Sequence, residues 1–165
     1  MTTLKQKITP NLWFDHQAEE AASFYTAIFP GSCIVSTTRY TDAGFELHHK
    51  PAGSVMTVAF ELDGQPFVAL NGGPVFRFNE AVSLQIGCAD QVEVDHYWEK
   101  LSAGGDPAAQ QCGWLKDKFG VSWQVVPYLL TELLQQPDAA RARRVTQAML
   151  QMRKLDIEAL ARAAV

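Results

Sequence analysis

The sequence predicts an α+β fold made of two sheet modules and a helical tail. Three observations carry that reading. Short runs of alternating apolar and polar residues, the period of a half-buried strand, are punctuated by Gly, Pro and Asp. Among them lie two segments whose apolar residues recur every three or four positions, the helical period. The order that results is β-α-β-β-β over 8–74 and β-α-β-β over 75–128. Residues 129–165 then turn to the strong helix formers Ala, Leu, Gln and Arg. The whole is read as one domain of two similar modules plus a tail, related by element order rather than by a repeat in residues.

Each element has a local reason. Ile8–Phe14 reads as a strand, with Pro10 restricting it to an edge or to its opening residues. Asp15 is placed to cap a helix over Ala18–Phe29, in which Ala21, Phe24, Tyr25 and Ile28 share a face and Pro30-Gly31 is the stop. Cys33–Tyr40 is β-rich, and 41–53, with Gly44, Pro51 and Gly53, reads as loop. Ser54–Leu62 and Phe67–Asn71 form a hairpin about Asp63-Gly64, and Gly72-Gly73-Pro74 breaks the chain. In the second module Val82–Cys88 is a strand. Asp90 starts a helix carrying Val92, Val94, Tyr97, Trp98 and Leu101, which Gly104-Gly105 ends. Cys112–Lys116 and Val121–Pro127 pair across Asp117-Lys118-Phe119-Gly120, with Gly at the position that needs positive φ. Tyr128–Gln136 is short and apolar-rich. Pro137-Asp138 opens a helical stretch to Ala164 with a break near Asp156. Its stripe of Val145, Met149, Met152 and Leu155 is expected to pack on the chain's own body or on a second copy.

Composition narrows the partners. The formal net charge is −4, and no basic cluster of the kind a nucleic-acid surface needs is present. No apolar run approaches the length of a membrane span, and the opening residues lack a signal-peptide core, so neither a nucleic-acid nor a membrane partner is expected. Cys33, Cys88 and Cys112 show no CxxC spacing, which fits reduced thiols and a cytoplasmic location. The oddest feature is chemical: Gln85 and Gln124 stand mid-strand among Val, Ile and Trp. A buried amide without partners costs about 1–3 kcal/mol, so two of them point to a wet or ligand-filled concavity.

Several stretches together resemble a known family. They are Leu12-Trp13-Phe14 with Ala18-Glu19-Glu20-Ala21-Ala22 and Phe24-Tyr25, then Asn71-Gly72-Gly73-Pro74 and Phe78-Asn79-Glu80-Ala81. Trp98-Glu99-Lys100-Leu101, Cys112–Asp117 and Gly120–Pro127 follow, and Ala148-Met149-Leu150 with Lys154–Ile157 resembles the family's tail. The chain is similar to the PhnB-like proteins labelled 3-demethylubiquinone-9 3-methyltransferase, within the vicinal oxygen chelate superfamily of glyoxalases, bleomycin-resistance proteins and extradiol dioxygenases. The resemblance implies the glyoxalase/bleomycin-resistance fold: paired βαβββ modules around a cleft, in a homodimer. It also implies one more strand in the second module, at Pro74–Asn79 or at the opening of the tail.

Metal-using members of that superfamily carry His or Glu on the first and last strands of each module. The corresponding places here fall on Thr9 or Asn11, Ala69 or Asn71, Ser83 with Gln85 beside it, and Gln124. Amides and hydroxyls are poor ligands for zinc, iron or nickel, so no metal centre is expected. His16 and His96 are expected on exposed helix positions, and the adjacent His48 and His49 point apart in a loop. The label also suggests S-adenosylmethionine, but the first strand runs into Asp15-His16-Gln17 without a glycine-rich turn, so no cofactor is expected.

Strand alternation sets Asn11 and Trp13 opposite Leu12 and Phe14, Ser83 and Gln85 opposite Leu84 and Ile86, and Ser122 and Gln124 opposite Trp123. The ligand-binding candidates are therefore Asn11, Trp13, Asn71, Ser83, Gln85, Trp114 and Gln124. Amides beside flat aromatic surface suit a small organic ligand with carbonyl or ring character. No catalytic residue stands out. The competing readings are a metal-dependent lyase, isomerase or dioxygenase, the methyl transfer of the label, and a dimeric scaffold acting through its tail.

Overall fold

A computed structural model describes residues 7–165. The chain divides into two compact units, one ending at Arg77 and the other spanning Phe78–Val165. The fold is α+β, with two mixed sheets, six helices and no closed barrel among the described residues.

The first unit runs β1 (Asn11–Phe14), α1 (Ala18–Ile28), β2 (Cys33–Arg39), α2 (Phe45–His48), β3 (Val55–Leu62) and β4 (Gln65–Asn71). The sheet order is β1-β4-β3-β2, antiparallel except for the parallel β1–β4 pair. Helix α1 forms because Ala18, Ala21, Ala22, Tyr25 and Ile28 make one buried face, and its three alanines let the helix approach the sheet closely. Tyr25 stacks on Phe60, which stacks on Phe67. Burying each such ring contributes about 1.5–3 kcal/mol. Asp15 does not cap α1. The cap position is Gln17, without a side-chain bond, and the Ala18 N–H donates instead to Asn71 Oδ1 at 2.8 Å, from the far end of β4. Within the expected 41–53 loop the chain makes one short helical turn, α2. Its flanking residues Gly44 and His49 are both left-handed.

The second unit runs β5 (Leu84–Cys88), α3 (Gln91–Ser102), a 3-10 turn at Pro107–Ala109, β6 (Trp114–Lys116), β7 (Ser122–Pro127), α4 (Tyr128–Gln135), α5 (Ala139–Met149) and α6 (Ile157–Ala163). Its sheet order is β5-β7-β6, with β5–β7 parallel and β6–β7 antiparallel. One sheet face, carrying Ile86, Cys88, Leu115, Trp123 and Val125, is buried with Val94, Trp98 and Leu101 of α3. Three helices are capped as their sequences direct: Asp90, Asp138 and Asp156 each accept the N–H three residues on.

The extra strand expected in this unit is not formed at either place. Residues 74–79 hold no strand. The opening of the tail is helix α4, since Leu130 and Leu133, three apart, give it a buried helical face. The strand expected from Cys112 begins at Trp114, because Cys112 and Gly113 take positive φ and form a turn.

The tail packs on its own unit. Leu130, Leu133, Val145, Leu155, Leu160 and Ala164 form a second small core. The linker between α5 and α6 is tied to the sheet and to α3. Cys112 and Gly113 N–H groups donate to the Met152 and Arg153 carbonyls, and Gln91 bonds the Leu155 carbonyl and the Ile157 N–H. Lys154 pairs with Asp95 and holds that carboxyl below the usual range, helped by Gln91. The stabilisation from this pair is present at neutral pH and is lost as the pH falls through the lowered value. No helix among the described residues is long and apolar enough to cross a membrane.

Candidate functional site

The structure sorts the seven candidates into groups. In the first unit Asn11 and Trp13 lie on the sheet face away from α1, as alternation requires. Their polar atoms are engaged locally: Asn11 Nδ2 donates to the Thr9 carbonyl at 3.0 Å, and Trp13 Nε1 to the Gly73 carbonyl at 2.8 Å. The Trp13 ring lies against Gly72, where an added Cβ would fall 2.2 Å from it, and meets Phe76 edge-on at 4.9 Å. Asn71 is placed on the other face, beside Phe14 in register, and is 8 % exposed. Its Oδ1 caps α1 and its Nδ2 donates to the Val55 carbonyl, so its amide works as a structural clip. A depression of about 400 Å³ adjoins it, lined also by His16, Glu19, Lys50 and Ser54.

The second unit brings four candidates together. Trp114 on β6 stands opposite Gln124 on β7, which stands opposite Gln85 on β5, so the three make one row across the sheet. Gln124 Nε2 donates to Ser83 Oγ at 2.8 Å. Neither glutamine is the buried, unpartnered amide expected from the sequence: Gln124 is half-buried and bonded to Ser83, and Gln85 is exposed, its amide open to solvent with no partner among the described residues. The face is the one away from α3. The adjacent row holds Lys116 opposite Ser122. Lys116 pairs with Glu80, and that ammonium holds the exposed Glu80 carboxyl below the usual range. The Ser122 hydroxyl is buried with no hydrogen-bond partner among the described residues.

Two residues here carry more than the sequence suggested. Asp117, read as a turn residue, is buried and accepts from the Phe119 and Val121 N–H groups and from Trp123 Nε1 at 2.8 Å. It fixes the β6–β7 turn and orients the core indole. Tyr128 lies over Gly87, where an added Cβ would stand 2.3 Å from the ring. The sequence signal was Gly87 itself, since a glycine inside a strand marks the close approach of another group.

The Asn71 amide is spent on backbone and the Gln124 nitrogen on Ser83, and among the described residues no group of three His, Cys, Asp or Glu is arranged to hold an ion. Burial pushes the Cys88 thiol up to about 12, leaving almost no thiolate at neutral pH.

The comparisons with known proteins agree with this architecture. The family model described as 3-demethylubiquinone-9 3-methyltransferase matches residues 6–126. A PhnB protein from Bacillus cereus that carries the same methyltransferase label is 38% identical, with a TM-score of 0.62, over 74% of this chain and 99% of that one. Protein PA1353 from Pseudomonas aeruginosa is 20% identical, with a TM-score of 0.56, over 74% and 97% of the two chains. The fosfomycin resistance protein FosX from Listeria monocytogenes is 15% identical, with a TM-score of 0.53, over 81% and 99%. These last two show the fold alone. No match was found among curated proteins. The family match ends before the helical tail, so the likeness of the tail to the family is not part of it. The chain thus belongs to the PhnB-like, 3-demethylubiquinone-9 3-methyltransferase family.

Proposed function

We propose that the protein binds a small organic molecule bearing a carbonyl or amide group on the polar face of its second sheet. The observation that supports this reading most is unused hydrogen-bonding capacity. Gln85 keeps a whole amide free, and Gln124 keeps its Oε1, on a strand-borne surface beside the half-buried Trp114. In the first unit, by contrast, the Asn71 amide and the Trp13 indole N–H are consumed by backbone. The strands fix where these side chains start, while holding the exposed Gln85 amide against a ligand costs about 0.5–1.5 kcal/mol of rotamer freedom. The ligand's carbonyl would accept from Gln85 while its N–H or O–H donates to Gln124 Oε1, and its apolar part would lie against Trp114.

The methyl transfer in the family description finds less support in these residues. Each sheet is mixed rather than doubly wound, and β1 leads into α1 through Asp15-His16-Gln17 without glycine. Ligand-observed NMR titration with benzamide tests the binding reading. Wild type is expected to bind saturably, and Gln124→Leu to bind about five- to tenfold more weakly, the size of one neutral hydrogen bond lost. Absence of saturable binding, or equal affinity in the two proteins, would overturn it.

A further inference from the structure

We infer that Tyr128, supplied by the helical tail, is a second aromatic wall of the sheet site and makes it selective for flat ligands. This inference rests on the binding reading above. Gly87 follows Gln85 by two residues on β5, so both face the same side of the sheet. An added Cβ at Gly87 would meet Tyr128 Cε1 at 2.3 Å, Cζ at 2.8 Å and Oη at 2.9 Å. The phenol ring therefore occupies the space a side chain would fill, on the same face as Gln85 and next to it along the strand. Trp114 stands two strands away in the neighbouring row, on β6. Trp114 thus neighbours Gln124 across the sheet, and the Tyr128 ring neighbours Gln85 along β5.

The ring is laid down by architecture rather than buried by it. Tyr128 is 56 % exposed, a large aromatic left open to solvent. Its place is fixed because it is the first residue of α4, directly after Pro127 ends β7, and α4 is held by Leu130 and Leu133 in the tail core. The residue lies two positions beyond the segment matched by the family model, at the start of the helical tail. An exposed ring beside the open Gln85 amide favours a planar partner, because offset-stacked aromatic faces gain about 0.5–1.5 kcal/mol beyond the area they bury.

Benzamide and cyclohexanecarboxamide test this directly, since they share the amide and differ in flatness. Titrations followed by ligand-observed NMR are expected to show wild type preferring benzamide about five- to tenfold. The preference should fall to about twofold or less in Tyr128→Ala and persist in Tyr128→Phe, with the thermal midpoint of both variants close to wild type. If both amides bind and Tyr128→Ala leaves their ratio unchanged, the wall assignment is wrong while the binding reading stands. The wall assignment fails equally if Tyr128→Phe loses the preference as fully as alanine does. If neither amide binds wild type, the binding reading fails and the wall with it.

Discussion

Replacing Asp117 with alanine is expected to lower the unfolding free energy by about 4 kcal/mol, because it orphans two buried donors at roughly 1–3 kcal/mol each. The donors are the Val121 N–H and the Trp123 indole N–H, both on residues no more than 4 % exposed. The Phe119 N–H, nearer the surface, loses its partner as well. Asparagine would be milder, since its oxygen can still serve the turn while its NH₂ faces the indole N–H. Urea denaturation followed by tryptophan fluorescence measures the change. A loss below about 1 kcal/mol for the alanine variant would contradict the role assigned to Asp117.

The second large effect lies in the tail. Leu155 is fully buried, stands 3.0 Å from where a Cβ on Gly113 would lie, and sits in the linker whose carbonyls receive the Cys112 and Gly113 N–H groups. Leu155→Ala should cost about 3 kcal/mol, within the range for buried leucine truncation. Deletion of 137–165 removes that linker together with α5 and α6, and should abolish the cooperative unfolding of the second unit. Although the family match ends at residue 126, the turn that leads into β6 is hydrogen-bonded to the tail. A truncated protein with an unchanged thermal midpoint would show that the tail is carried passively.

Much of the fold is legible in the residues, for a physical reason. Period-two and period-3.6 patterns report which face is buried, and so alternation alone separates Leu12 and Phe14 from Trp13, and Trp123 from Gln124, as the structure does. Local caps are equally readable at Asp90, and so is the Gly120 turn at φ 88°. What sequence patterns do not carry is long-range choice. Asn71 turns to α1 because an uncapped Ala18 N–H lies there, a partner 53 residues away. Asp15, the obvious local cap, lies beside His16 instead. Gln85 and Gln124 could have satisfied each other, but the neighbouring Ser83 takes the Gln124 nitrogen and leaves Gln85 open. The implied extra strand fails because the competing helical pattern of α4 buries Leu130 and Leu133.

If the amide-bearing face of the second sheet is where this protein meets its ligand, the side chains on that face must respond to one. Two-dimensional ¹⁵N NMR of the full chain titrated with benzamide reads them individually. Saturable shifts are expected for the Gln85 and Gln124 side-chain NH₂ signals and for the Trp114 indole N–H. Shifts confined to the depression lined by His16, Lys50 and Asn71, with the Gln85 and Gln124 signals unmoved, would place the ligand elsewhere and contradict the assignment.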